Sequence, residues 1–215
     1  LTMCRRSLIK SLSLSKKFHL SLNYLLFWDK LERCNYFINH IINNRNRKFD
    51  SNKISAYTNR PISDGGYWHV FVDLINKYGM MPDSVFKRRT SSKNTVSMNK
   101  LINYKLREFA SKLLSPNQTN DGLCKSDEEI ELLRNDIFTT IVKILVYVLG
   151  SPYYPNALFD WTYVTKDKQK HTIKNISPLS FYRIHCRIDF NEFVVIMNDP
   201  RPRHPYNMIY EMKSV

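Results

Sequence analysis

The chain has 215 residues, of which 43% are hydrophobic and 13% aromatic, so it can bury a core and is not an intrinsically disordered chain. Its formal net charge is +14, and residues 1–60 hold twelve Lys and Arg against three Asp and Glu. Such an excess attracts nucleic acid, anionic membranes or acidic substrates, although a solvated basic face explains it equally well. No apolar run approaches the roughly 18 residues that a membrane-spanning helix needs.

Four helices are predicted in the first 150 residues, each from a capping residue or from apolar residues at helical spacing. The polar stretches Asn43–Arg60 and Lys87–Asn94 are predicted to be loops. The predicted helices run from a cap at Ser21 to about Asn43, from Gly66 to Tyr78, from a cap at Thr95 to about Leu114, and from a capping box at Ser126 and Glu129 to Gly150.

The pattern changes after Pro155, where β-strands are expected. Alternating aromatic residues predict a strand over Leu158–Thr165, with His171–Ile173 as its hairpin partner. Ser177 and Pro178 then begin a short helix that runs to about Cys186. Two further strands are predicted at Phe193–Met197 and Asn207–Met212.

Cysteines and histidines give little sign of a reactive centre. The four cysteines form no C-x-x-C pair and are far apart, which is typical of reduced thiols in an intracellular protein. No two of the six histidines are three to five residues apart, so no metal site is predicted, and the five glycines form no phosphate-binding loop. Cys4 lies near the front of a possible helix beside Arg5 and Arg6, but an inert thiol is about ten times the more frequent explanation.

Gly65 and Gly66 stand side by side in the segment SDGGYWHVFVDLINKYGMMP (63–82). A peptide bound in extended form needs exposed N–H and C=O groups beside it, and a side chain there would block its approach. From the residues alone, a glycine-rich start of a helix capped by Asp64 is the more frequent explanation.

Five segments, in chain order, resemble the bleomycin hydrolase and aminopeptidase C branch of the papain-like cysteine peptidases. The resemblance runs from about Phe18 to the end of the chain. The segments are LNYLLFWDKLERCNYF (22–37), SDGGYWHVFVDLINKYGMMPDSVF (63–86), MNKLINYKLREFASKL (98–113), SPLSFYRIH (177–185) and MNDPRPRHPYNMIYEM (197–212).

This resemblance implies a papain-like α+β fold, in which a helical half packs on a β-barrel half and the active site lies between them. Residues 1–92 then form most of the helical half, and residues 93–196 form an insertion of helices and a small hairpin. Residues 197–215 begin the β-barrel half, which is otherwise largely missing.

The resemblance also implies that the catalytic Cys, His and Asn are absent from these residues. The family motif like G-R-C-W-I-F-S does not occur, and neither does N-S-W. By register, Leu1–Leu14 continue the helix that the catalytic cysteine opens, so Cys4 lies in the helix body. We therefore expect a fragment of a cysteine aminopeptidase, a thiol protease, with no catalytic residue of its own and no activity alone.

What the resemblance does assign is part of the substrate site. Gly65 and Gly66 match the pair that lies beside the bound peptide, and Tyr67 and Trp68 follow where the family lines the pocket for the second substrate residue. The resemblance implies peptide substrates, a hexameric homo-oligomer, a cytoplasmic location and no cofactor. The alternative is a catalytically inactive basic relative that binds nucleic acid or protein, although no recognised nucleic-acid-binding pattern is present.

Overall fold

The computed structural model describes residues 1–45, 58–59, 61–114, 125–193 and 207–208. Within these ranges the helices and a two-stranded antiparallel sheet share one apolar core, which confirms the predicted α+β class. Short 3₁₀ turns lie at Thr90–Lys93 and Phe190–Glu192. The main elements are α1 (Thr2–Ser11), α2 (Leu22–Asn43), α3 (Trp68–Tyr78), α4 (Val96–Leu114), α5 (Asp127–Leu149), β1 (Phe159–Val164), β2 (Lys170–Ile176) and α6 (Pro178–Phe181), which continues as a π-helical turn at Tyr182–Cys186.

Helix α2 packs against α3, α4 and α5, and its first turn fixes the ends of two of them. The Ser21 hydroxyl accepts a hydrogen bond from the Tyr24 amide at 3.1 Å, as the predicted cap requires. The Tyr24 hydroxyl donates to the carbonyl of Tyr78 at 2.7 Å, and the Asn23 amide donates to the carbonyl of Leu149 at 2.5 Å. These last carbonyls of α3 and α5 have no partner within their own helices, so α2 satisfies them.

The other helix predictions hold with two differences. Helix α4 occupies the predicted span, and the capping box of α5 is formed between Ser126 and Glu129. Helix α3 begins at Trp68, two residues later than predicted, because Asp64 binds other side chains and does not cap it. Helix α1 ends at Ser11, short of the expected Leu14, because Ser13 has a φ of 49° and turns the chain.

The predicted hairpin is confirmed. Strand β1 pairs antiparallel with β2, with Trp161 opposite Ile173. The ring of Trp161 lies 5.7 Å from that of Phe18 and 5.3 Å from that of Phe181, which buries the hairpin against the helices. A β-bridge between Leu14 and Thr165 attaches the hairpin to the segment after α1.

The structure describes only part of the elements predicted after residue 176. The Ser177 hydroxyl accepts from the Ser180 amide at 3.2 Å, with Pro178 at the first helical position, and the helical stretch ends at Cys186 as predicted. Most of the predicted strands Phe193–Met197 and Asn207–Met212, and most of the predicted loop Asn43–Arg60, lie outside the described residues. None of the helices in the described ranges has the length and apolar character needed to cross a membrane.

Gly79 ends α3 at a point where two distant segments touch. Its φ is 74°, a backbone conformation that favours glycine, and its amide donates to the carbonyl of Ile75 at 2.8 Å. A Cβ at this position would lie 2.2 Å from the carbonyl oxygen of Pro178. The neighbouring Met80 amide donates to that same oxygen at 3.1 Å, so the close approach is part of the packing of α3 on α6.

We expect Gly79→Ala to lower the free energy of unfolding by more than about 2 kcal/mol, because it combines left-handed strain with a backbone clash. Urea denaturation measures this. Gly65→Ala is the control, since a Cβ there meets no atom within 4 Å and φ is not positive; its effect should stay within about 0.5 kcal/mol. Equal free energies of unfolding for the two variants would contradict the close approach of Gly79 to Pro178.

Candidate functional site

The residues of the Gly-Gly segment are exposed directly after Ile62, which is the last buried residue before them. Ile62 is buried, and its backbone is held by Asn103 of α4, which accepts from the Ile62 amide at 2.9 Å and donates to the Ile62 carbonyl at 3.3 Å. Residues 63–67 are exposed and belong to no helix or strand. One side chain of α4 therefore fixes the point from which the exposed segment starts.

Lys30 of α2 is the second anchor of this segment. Its side chain is 0% exposed, and its ammonium donates to the Ser63 carbonyl and to Asp64 Oδ1, each at 2.7 Å. Asp64 also accepts from the amide of Asn99 at 2.9 Å and from the hydroxyl of Thr95 at 3.0 Å. Asp64 thus joins α2 to α4 directly before the two glycines.

The charge on Asp64 is favoured in this setting. Partial burial by itself would raise the pKa of the Asp64 carboxyl. The hydrogen bonds from Lys30, Asn99 and Thr95, together with the positive charge of Lys30, outweigh burial and hold the pKa below its ordinary value of 3.8. The ion pair is therefore present at neutral pH and persists into mildly acidic solution.

Gly65 and Gly66 are exposed, and nothing in the described part of the chain explains why Gly65 is a glycine. Neither residue has a positive φ. A Cβ on Gly65 would meet no atom within 4 Å. Among the described residues, the N–H and C=O groups of the pair form no hydrogen bond. The pair is thus an open stretch of backbone with its polar groups available to a ligand.

Arg33 lies beside the second glycine. A Cβ on Gly66 would lie 3.0 Å from a terminal nitrogen of the Arg33 guanidinium. That guanidinium is tethered, because its Nε donates to both carboxylate oxygens of Asp29 at 2.9 Å. A side chain at position 66 would require this tethered guanidinium to shift slightly, whereas one at position 65 would meet no atom within 4 Å.

Tyr67 and Trp68 differ in exposure although they are neighbours. The Tyr67 side chain is 76% exposed and stacks on His69, with ring centroids 5.8 Å apart. Trp68 is half-buried and contacts Phe190 and Phe193 at centroid distances of 5.5 and 5.9 Å. Both follow the glycine pair directly, Tyr67 with its ring in solvent and Trp68 with its ring against the 3₁₀ turn at Phe190–Glu192.

The anchors Lys30, Thr95 and Asn99 were missed by the sequence predictions. For Lys30 a signal was present: it lies three residues after Phe27 and four before Cys34, both buried, so it interrupts the buried stripe of α2. A lysine at such a position needs an acidic or carbonyl partner. For Thr95 and Asn99 there was no such signal, because their partner is more than thirty residues away.

Cys4 is in the body of α1, where the resemblance put it. Its side chain is 0% exposed, as is that of Cys186 in the π-helical turn. The contact between the two thiols, together with burial, raises the pKa of Cys186, and the same contact lowers the pKa of Cys4. A thiol closed in this way cannot meet a substrate, so the structure does not support Cys4 as a nucleophile.

Metal ligands are not gathered at this site. Across the described ranges, no group of three or more His, Cys, Asp and Glu side chains could hold a metal ion. The polar groups near the glycine pair are Lys30, Asp64, Thr95 and Asn99, which bind one another, and Arg33, which is paired with Asp29. The chemistry they offer is the positioning of backbone.

Comparison with known proteins places this arrangement in a family. Human bleomycin hydrolase is 34% identical over 217 residues, which cover 99% of this chain and 46% of that protein. Aminopeptidase C of Lactobacillus delbrueckii subsp. lactis is 32% identical over 213 residues, which cover 99% of this chain and 46% of that protein.

A solved structure agrees with the sequence relatives. The crystal structure of PepW from Lactobacillus rhamnosis HN001 matches with a TM-score of 0.83 and 32% identity, covering 96% of this chain and 44% of that one. The chain therefore spans less than half the length of these three proteins. The Peptidase C1-like family matches residues 1–215. The resemblance seen in the sequence is confirmed, and the chain belongs to the Peptidase C1-like family of papain-like peptidases.

Proposed function

We propose that this chain supplies one wall of the peptide-binding cleft of a cysteine aminopeptidase of the bleomycin hydrolase type. The observation that carries the proposal is the exposed backbone of Gly65 and Gly66, which forms no hydrogen bond with the described residues. It directly follows residues 62–64, which Lys30 and Asn103 anchor. No contact within the described residues requires a glycine at position 65. An approaching ligand backbone does require one.

A peptide in extended form fits such an edge. Its main-chain N–H and C=O groups alternate along the strand and pair with exposed backbone groups of the protein. The residues directly before the pair are already anchored when the ligand arrives, which reduces the amount of backbone that binding must order.

Tyr67 and Trp68 are proposed to contact the second residue of the substrate. Tyr67 supports this role because its ring is largely exposed directly after the glycine pair. An aromatic ring offers a large apolar surface with little loss of side-chain freedom on binding. Trp68, packed on Phe190, would form the fixed floor under that contact.

The chemistry of such an enzyme comes from groups outside this wall. A cysteine thiolate attacks the scissile amide carbonyl, and an imidazolium protonates the leaving amine. The motifs that carry the family's Cys, His and Asn do not occur in the 215 residues. We propose that the rest of the enzyme supplies them and that Cys4, closed against Cys186, has no part in the reaction.

The wider organisation follows the family in our proposal. Residues 1–92 form the helical half, residues 93–196 form the insertion, and residues 197–215 lead into the β-barrel half. A hexameric assembly and a cytoplasmic location are proposed on the resemblance, and the free thiols Cys4, Cys34 and Cys186 support a reducing compartment. Binding of nucleic acid remains a prediction, and the positive net charge is its only support.

The first test concerns the anchor. Asp64→Asn removes the charge that faces the buried Lys30 ammonium, so we expect a loss of about 1–2 kcal/mol in the free energy of unfolding at pH 7. Because folding lowers the pKa of Asp64, the contribution of its charge is present above pH 3.8 and lost as the pH falls through the lowered folded value. The difference in the free energy of unfolding between wild type and variant, measured by urea denaturation, should therefore become smaller below pH 3.8. Asp73→Asn, at an exposed position of α3, should show no loss; an Asp64 effect unchanged down to pH 3 would contradict the ion pair.

The second test concerns the peptide edge. On adding a short peptide with a free amino terminus, NMR should show shifts of the Gly65 and Gly66 amide signals. Gly65→Val should weaken this binding by about tenfold or more, since the side chain separates the two backbones. Its stability should stay unchanged, because position 65 is open. Thr162→Val, on the exposed hairpin, is the control for added apolar surface. Peptide binding that leaves both glycine signals unmoved would show that the edge is elsewhere.

The third test concerns catalysis. The purified 215-residue chain should release no fluorophore from an aminoacyl substrate, and Cys4→Ser should behave identically. Release that a thiol alkylator abolishes, and that Cys4→Ser also abolishes, would make Cys4 the nucleophile and overturn the proposal. An intact relative of the bleomycin hydrolase type serves as the positive control for the assay.

A further inference from the structure

A cleft of about 480 Å³ lies where the end of α1 meets the hairpin turn. Its lining holds five cations and no acidic residue: Arg5, Arg6, Lys10, Lys16 and Lys166, together with Ile9. None of the ion pairs found among the described residues involves any of these five side chains. Like charges at such short range repel one another, so the cleft holds positive charge that its own residues leave uncompensated.

The cleft is built from three separate parts of the chain that backbone contacts hold together. Ser13 turns the chain after α1 with a φ of 49°, and its carbonyl accepts from the Lys166 amide at 2.9 Å. The bridge between Leu14 and Thr165 lies beside this bond. Lys166 is therefore fixed next to the end of α1 rather than brought there by a flexible side chain alone.

Arg5 is held as firmly from the other side. Its Nε donates to the carbonyl of Phe18 at 2.6 Å, and its guanidinium also donates to the carbonyl of Lys16. These bonds fix the guanidinium on the 16–18 segment that carries Lys16. Arg6 and Lys10 lie one turn apart on α1 and are exposed, which leaves their charged groups available.

We propose that this basic cleft binds a small ligand that carries several phosphate groups. The volume of about 480 Å³ is that of a small-molecule site. Five cations match the several negative charges and many oxygens of a di- or triphosphate, and Arg and Lys are the side chains that bind such groups. The proposal does not depend on the peptide edge, since no residue is shared between the two.

Isothermal titration calorimetry of the 215-residue chain with inorganic triphosphate tests it. Binding should weaken by about tenfold or more in the double variant Arg6→Gln with Lys10→Gln, because each removes a charge-assisted hydrogen bond. A second double variant, Lys16→Gln with Lys166→Gln, should weaken triphosphate binding by a similar factor. Both of its substitutions lie outside α1, so it still tests the proposal if the α1 variant fails to fold. The control Lys100→Gln with Lys143→Gln makes the same change of net charge at exposed positions of α4 and α5 and should leave binding unchanged.

Three outcomes overturn the proposal. The first is the absence of triphosphate binding at low salt. The second is equal weakening in the cleft and control variants, which would indicate a diffuse basic surface. The third is a short single-stranded oligonucleotide that displaces triphosphate and binds more tightly, which would make nucleic acid the ligand. Sulfate that competes only weakly with triphosphate supports the proposal, because one anionic group engages few of the cations.

Discussion

An ammonium group removed from water has to be matched by oxygens, and in this fold Lys30 is matched by Ser63 and Asp64. An unmatched charge at that depth would cost several kcal/mol, so α2 can pack only where the 63–64 backbone comes to meet it. Asp64 is in turn shared with Thr95 and Asn99, which brings in α4. The positions of two long helices and of an exposed loop are thereby determined by one buried charge.

The same pairing explains where α3 begins. With its carboxylate turned toward α2 and α4, Asp64 is not free to cap a helix, and the chain becomes helical only at Trp68. The three residues between Asp64 and Trp68 are what a ligand can reach. A glycine pair placed one residue earlier would lie within the anchor, and one placed two residues later would lie within α3. The anchor and the helix start together define the length of the open edge.

Local patterns predicted most of the secondary structure, because caps and stripes act within a few residues. Ser21, Ser126 with Glu129, and the Ser177–Pro178 pair each begin a helix as the sequence indicated. The start of α3 was predicted wrongly, since it depends on Lys30, which is 34 residues from Asp64. Composition and spacing could suggest two uses for Gly65 and Gly66 but not decide between them. The structure shows that Asp64 does not cap α3, whereas the proposed role of the glycine pair beside a peptide rests on the resemblance.

The hydroxyl of Ser7 in α1 donates to the carbonyl of Cys186, 179 residues further along the chain. During synthesis α1 emerges from the ribosome well before the π-helical turn that it contacts. At ordinary rates of synthesis, about 10–40 s pass between the synthesis of α1 and that of the π-helical turn. Until then the turn cannot cover the apolar side of α1, which carries Cys4 and Leu8. The contact between α1 and Cys186 can therefore form only after that interval.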